Sequence, residues 1–242
     1  MLFAVELPDQ PELPKTGRFI GLDMGISALM STSDGDKVDN PNYYRVAQKK
    51  LRVLSRALAR KKRGGKKRHK ALKRVQRQHL HVANQRSDYL HKLSTVLVQI
   101  CDGVALEDLA TRNMVRNSHL SKSILDSGWG MFKQCLTYKA GSAGREIRLI
   151  NPAYTSKCCS NCGQMFQDFS LSTRWVDCDC GLSLDRDHNA AINILIQAGW
   201  DAPVTANVGI RPHGLEAARL LPQQSVTRRS ASRQGSLYAK IW

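Results

Sequence analysis

No apolar run in this 242-residue chain approaches the roughly 20 residues needed to cross a bilayer as a helix. The opening MLFAVELPDQPELP is too short and too acidic for a secretory signal. Internal repeats are absent. Histidines that would serve a Ser-His-Asp or Cys-His centre find no partner in the sequence: His69, His79, His81 and His91 fall in a basic region, and His119, His188 and His213 stand alone. The scarcity that says most is of negative charge. Residues 40–87 contain 17 Lys and Arg and no Asp or Glu. Of 37 basic and 20 acidic residues in all, this leaves 20 of each elsewhere, so the whole +17 excess lies in that one segment.

A confined basic stripe is the footprint of a polyanion, whose condensed counterions are released on binding. A solvated, charge-rich helix is the plainer alternative. It needs acidic residues at i+4 to offset self-repulsion, and none are present. Nucleic acid is therefore the expected partner. The tip residues Lys61, Lys62, Arg63, Lys66, Lys67, Arg68, Lys70, Lys73 and Arg74 are the candidate contacts.

The length allows one large domain or two small ones. Residues 2–5 read as a short strand before a proline-punctuated linker. Residues 19–26 form a nearly continuous apolar run, the pattern of a strand covered on both faces, interrupted by Asp23 between Gly21 and Gly25. A second strand near residues 28–32 and the turn Asp34-Gly35-Asp36 suggest a hairpin. Residues 44–100 are helical, with Leu51, Leu54 and Leu58, then Leu72 and Val75, then Leu90, Leu93, Leu97 and Ile100 as apolar seams. Gly64-Gly65 marks the break of a helical hairpin whose tip is the most basic part of the chain. VALEDL is a strand carrying Glu107, residues 111–128 a loop, residues 130–139 a helix and residues 146–150 a strand. Trp129 and Tyr138 have core packing as their default role and base stacking as the alternative. After Gly199 periodicity is lost, and residues 200–242 are expected to form a disordered tail.

Five of the seven cysteines lie between residues 151 and 194. Near-neighbour cysteines suit metal binding in a reducing cytoplasm better than a disulfide framework. Cys159-x-x-Cys162-Gly163 has the form of a zinc knuckle, and Cys178-Asp179-Cys180-Gly181 is one residue shorter than the usual spacing. Together they can supply four thiolates to a tetrahedral ion, which with no open position would be structural. Cys158 is a spare, and a Cys158/Cys162 register is a less usual alternative. Buried or redox-active thiols are the bland reading.

Asp187 shares a helix with Ala190, Ala191 and Ile194, the residues of a buried face, and so points inward. Asp185, just before that helix, fits an N-cap; a second cap is the rival role for Asp187. Asp23 and Glu107 are individually weak signals, since Asp-x-Gly is a common turn. As a set, a carboxylate in the first strand, one ending a later strand and one opening the last helix can converge at one sheet edge. Three such acids can hold two Mg2+ or Mn2+ ions, which activate water and orient a scissile phosphate.

At these residues the chain resembles the TnpB family, the OrfB proteins of insertion sequences, RuvC-like nucleases related to type V CRISPR effectors. The similarity is carried by GRFIGLDMGI, the basic helices running into ANQRSDYLHKLS, VALEDL, SILDSGWGMF with TYKAGSAGR, and TSKCCSNCG through CDCGLSLDRDHNAAINI. It covers roughly residues 17–198 in the family's order. The resemblance implies an α/β, RNase H-like (RuvC-type) mixed sheet with the basic helical insertion at about residues 44–100 and a zinc ribbon over residues 151–183. It implies that residues 184–199 form the last helix of a core that begins at residue 17. It assigns Asp23, Glu107 and Asp187 as catalytic acids, choosing Asp187 over Asp185.

The family's long N-terminal portion, which recognises guide RNA, is represented here by what resembles its end, residues 1–16. The expected partners are therefore DNA and a guide RNA from the same element, and the expected location is the cytoplasm, at the nucleoid when DNA is bound. The expected function is metal-dependent endonuclease activity. The rival class is a catalytically silent zinc-ribbon nucleic-acid binder, a relic or regulator of transposition.

Overall fold

Alternation along the first strand decides the architecture. In the computed structural model, which describes residues 12–201 apart from 168 and 171, β1 (Phe19–Met24) lies at the centre of a five-stranded sheet. Its neighbours are β2 (Ala28–Thr32), followed by β3 (Lys37–Asp39), on one side, and β4 (Gly103–Glu107), followed by β5 (Glu146–Ile150), on the other. The β1–β2 and β2–β3 pairs are antiparallel, whereas β1, β4 and β5 run parallel. The strand expected at residues 2–5 and nearly all of the expected tail lie outside the described residues. Trp200, assigned to that tail, packs on Phe19 with ring centroids 4.9 Å apart.

Side chains alternate between the faces of a strand. Ile20, Leu22 and Met24 of β1, with Val104 and Leu106 of β4, therefore face the main core. There they meet α2 (Lys66–Ile100) through Leu90, Leu93 and Leu97, and α5 (Trp129–Ser142) through Phe132 and Leu136. Each such fully buried Leu or Phe contributes about 1.5–3 kcal/mol. Trp129 belongs to this core as well, while Tyr138 is exposed and reaches the His91 ring at 3.3 Å.

The opposite face is covered by α6 (Arg186–Gln197). Ile194 and Ala198 of this segment pack on Ala105 of β4. Gly21 makes the approach possible: a Cβ there would stand 2.1 Å from the Ala191 carbonyl oxygen and 2.9 Å from the Leu195 nitrogen. The residues on this face, Gly21 with Asp23 and Ala105 with Glu107, follow from the same alternation.

The basic stripe forms a helical hairpin of α1 (Tyr43–Ala59) and α2. A helix of 35 residues is about 50 Å long, so α2 runs unbroken from the main core to the tip. Its inner seam at the arm is Ala71, Val75, Gln78 and Val82. Leu72, expected in that seam, is 38 % exposed instead, because the helical period places Ala71 on the α1 side.

Residues 111–128, expected as a loop, contain two short helices, α3 (Thr111–Met114) and α4 (Ser121–Ser127). Tertiary contacts explain them. Ile124 is buried, and Asp126 accepts the backbone N–H groups of Tyr44 (2.8 Å) and Arg45 (3.1 Å) and a guanidinium N–H of Arg86 (3.0 Å). Asp126 thereby caps α1, whose own N-cap side chain makes no such bond, and fixes the root of the arm. The cysteine-rich segment adds a two-stranded ribbon, β6 (Trp175–Asp177) and β7 (Ser183–Asp185), paired antiparallel.

Substituting Gly21 by Ala forces α6 off the sheet. The expected cost is about 1–3 kcal/mol or more, measured as a lower urea midpoint with an unchanged denaturant slope; an unchanged midpoint would show that α6 does not sit this close.

Candidate acid and thiolate centres

The parallel register of β1 and β4 pairs Phe19 with Gly103 and Leu22 with Leu106. The next step along the same offset sets Asp23 beside Glu107, on the same face, and that face is the one α6 covers. Along β1, Asp23 is two residues beyond Gly21, an advance of about 6.6 Å. Along α6, Asp187 is four residues before Ala191, an advance of about 6 Å in the opposite chain direction. The strand and the helix thus carry Asp23 and Asp187 to the same end of their contact, where Glu107 also lies.

The electrostatics agree with this convergence. The Asp23 carboxyl is pushed up to about 8, first by burial and then by the charges of Glu107 and Asp187, with Arg186 pulling the other way. Burial also raises Glu107, opposed by a hydrogen bond from Thr155. Asp185 is the N-cap of α6 and accepts the backbone N–H groups of Asp187 and His188. It also receives Lys37 at 2.8 Å. His188 places Nε2 3.0 Å from the Ser33 carbonyl oxygen. The start of α6, and with it Asp187, is thereby fastened to the β2–β3 end of the sheet. Arg186 donates from Nε (3.0 Å) and Nη2 (2.9 Å) to a single oxygen of Asp187.

The second centre is the ribbon. The ligand atoms of Cys159, Cys162, Cys178 and Cys180 all lie within 4.8 Å of one another, the one group of His, Cys, Asp and Glu side chains to do so among the described residues. Facing sulfurs are 3.6 Å (Cys159–Cys180) and 3.5 Å (Cys162–Cys178) apart. That is far beyond a disulfide bond of about 2.05 Å. It is near the roughly 3.8 Å edge of a tetrahedron whose metal–sulfur bonds are about 2.3 Å, so the quartet can hold a soft metal such as zinc. Gly163 (φ 77°) and Gly181 (φ 90°) adopt the left-handed turn after each cysteine pair. The Asn161 amide and the Leu182 backbone N–H hold the Cys180 thiol down to about 6, whereas Cys178, though lowered by the Cys180 backbone N–H, is pushed up by burial and by the sulfurs around it. Cys158 lies outside the quartet, and its carbonyl oxygen accepts from Asn189 (2.8 Å) and Asn193 (2.7 Å) of α6.

Of the candidate nucleic-acid contacts, Lys61, Lys62, Arg63, Lys66, Lys67, Lys70, Lys73 and Arg74 are exposed along the arm. Arg68 differs, being partly buried with its guanidinium donating to the Leu58 carbonyl oxygen at 3.3 Å; it shapes the tip. Sequence reasoning missed Thr155, Lys37 and Arg186 near the acids. Only Arg186, between two aspartates, carried any signal.

Comparison with known proteins places these features among relatives. The family model OrfB_IS605, described as "Probable transposase", matches residues 2–118. The model of the Cas12f1-like TNB domain matches residues 129–194. A Streptomyces pristinaespiralis protein named "Putative RNA-guided DNA endonuclease" is 40% identical over 82% of this chain and 49% of its own length. A similarly named Escherichia coli K12 protein is 35% identical over 73% of this chain and 48% of its own. The chain thus spans about half the length of these curated relatives. By fold it is similar to a chain of a CRISPR-Cas12f ternary complex, with a TM-score of 0.57, 21% identity, and coverage of 79% of this chain and 41% of that one.

A carboxyl whose folded pKa exceeds its unfolded value stabilises the fold while protonated, and that contribution disappears as pH rises from near 3.8 to about 8. Without divalent cations, the melting temperature should therefore fall between about pH 5 and about pH 8, and Asp23→Asn should flatten that slope. A slope identical in the two proteins would contradict the half-buried, crowded environment of Asp23. For the thiolate centre, Cys162→Ser and Cys178→Ser should each lower the bound metal below about one ion per chain, read by elemental analysis, while Cys158→Ser leaves it unchanged.

Proposed function

We propose that this chain, which belongs to the OrfB (TnpB) family of transposon-encoded proteins, is the nuclease portion of a metal-dependent DNA endonuclease with an RNase H-like (RuvC-type) core. The observation that carries this reading is the crowding of Asp23, Glu107 and Asp187 at one end of the β1–β4–α6 contact, where Asp23 titrates at about 8. Such a group of acids is unfavourable without a cation, and its hard oxygen donors suit Mg2+ or Mn2+. Three carboxylates carried on separate rigid elements could hold a pair of such ions.

In this mechanism the residues supply position and charge. Asp23, Glu107 and Asp187 contribute carboxylate oxygens from a strand, a strand end and a helix start, all on rigid elements. Divalent ions, when bound, lower the pKa of a water and stabilise the leaving oxygen of the phosphodiester. No side chain then has to abstract a proton, which fits the lack, among the described residues, of a histidine partnered with these acids. Arg186 donates to one Asp187 oxygen and so orients that carboxylate at the start of α6. The exposed lysines and arginines of the arm gather DNA or RNA by counterion release. The zinc-held ribbon, seated on α6 beside Asp187, guides the strand to the acids. RNA guidance, named for the relatives above, extends to this chain as part of the same proposal, with the guide transcribed from the same element. The cytoplasm, where thiolates stay reduced, is the compartment it fits.

The test is cleavage of single-stranded DNA by the purified protein in Mg2+ or Mn2+, alone and with RNA transcribed from the adjoining element. Asp187→Ala should cost at least about 100-fold, exceeding the usual penalty for losing a residue that merely supports a metal ligand. Cleavage no greater than that of Asp187→Ala under every condition would rule the proposal out and leave a non-cleaving nucleic-acid binder.

A further inference from the structure

We infer that Thr155 is the positioning residue for Glu107, and that through it the cysteine ribbon and the acid centre are mechanically joined; this rests on the reading of Glu107 as a metal ligand. Thr155 is 2 % exposed, and its Oγ1 donates to Glu107 Oε1 at 2.6 Å. That length is characteristic of a hydroxyl bonded to an ionised carboxylate. A hydroxyl has one proton to give, and the other nearby acceptor, the Pro152 carbonyl oxygen, is farther away at 3.2 Å. Glu107 is itself 8 % exposed and ends its strand on a flexible three-torsion side chain. Held at one oxygen, it presents the other in a single orientation. The donor also offsets the cost of leaving a buried carboxylate unsatisfied.

Thr155 is in turn held by the ribbon's seat. Its carbonyl oxygen accepts from Asn193 Nδ2 at 2.8 Å, and the same amide donates to the Cys158 carbonyl oxygen at 2.7 Å. One turn earlier on α6, Asn189 donates to that Cys158 oxygen at 2.8 Å and accepts from the Ser160 backbone N–H at 2.9 Å. Both asparagines are buried. Residues 155–160 are thus gripped along their length by two amides one helical turn apart. Within that short stretch Cys159 belongs to the thiolate quartet, and Thr155 reaches Glu107. Displacing the knuckle displaces the hydroxyl. Groups that orient a metal ligand in this way typically account for about 10–100-fold in metal affinity.

The measurement is Mn2+ binding to the zinc-loaded full chain, followed by electron paramagnetic resonance without nucleic acid, so that it does not depend on cleavage. Thr155→Val, which keeps the shape and removes the donor, should weaken Mn2+ about 10-fold with zinc content and circular dichroism unchanged. Thr155→Ser, which restores the hydroxyl, should return binding to within about 3-fold of wild type. Should the valine variant lose zinc, Thr155→Ala, which adds no bulk, serves for the same comparison. Wild-type Mn2+ affinity in the variant lacking the hydroxyl, beside weakened binding in Asp187→Ala, overturns the role of Thr155 alone. Equal titration of wild type and Asp187→Ala overturns the metal reading of the acids, and this inference with it.

Discussion

The closeness of α6 to β1 at Gly21 is the constraint on which the rest of the structure depends. A side chain at that position would meet the Ala191 carbonyl oxygen at 2.1 Å. Only with the methyl absent can helix and strand run at backbone contact. Because the two elements then advance by nearly equal steps in opposite chain directions, Asp23 and Asp187 reach the same end of the contact. The helix that brings Asp187 also carries Asn189 and Asn193, on which the cysteine ribbon is seated. One missing Cβ therefore underlies both the acid cluster and the location of the ribbon.

Two kinds of electrostatics share the molecule. At the acids like charges are crowded and partly desolvated, and the cost appears as an Asp23 carboxyl that holds its proton to about 8. Along the arm like charges are exposed and screened, so each repulsion is small, but the stripe as a whole attracts a polyanion. The long α2 connects them physically. Its C-terminal half builds the main core behind the sheet, its N-terminal half carries the basic tip, and Asp126 with Arg86 braces the junction at the root of α1.

Much of the site was legible because its chemistry is local. Two cysteine pairs each followed by glycine make a metal knuckle almost wherever they occur, and the run from Asp185 through Ile194 carries a cap, an acid and a buried face within a few turns. Strand β1 could be read from its apolar run. Residues whose role comes from a distant partner were not legible. Nothing in the sequence around Thr155 pointed to Glu107, 48 positions away. The short helices α3 and α4 exist because Ile124 and Asp126 are received by other elements. Leu72 was misplaced because two adjacent apolar residues leave the helical phase ambiguous, and Trp200 because a single aromatic beyond the last helix has no period to belong to.

The sequence by itself determined the local order: which segments are strand or helix, where the charge excess lies, and where clustered cysteines and acids fall along the chain. These follow from periodicity, turn chemistry and ligand spacing, all short-range along the chain. Only the tertiary structure decided that Asp23 and Glu107 stand side by side, that Asp187 reaches the same end of the α6–β1 contact, and that α6 holds the cysteine-bearing segment whose hydroxyl reaches Glu107. Those relations depend on the register between parallel strands and on how closely a helix can approach a sheet. Both are set by packing between residues far apart in sequence, which no local pattern encodes.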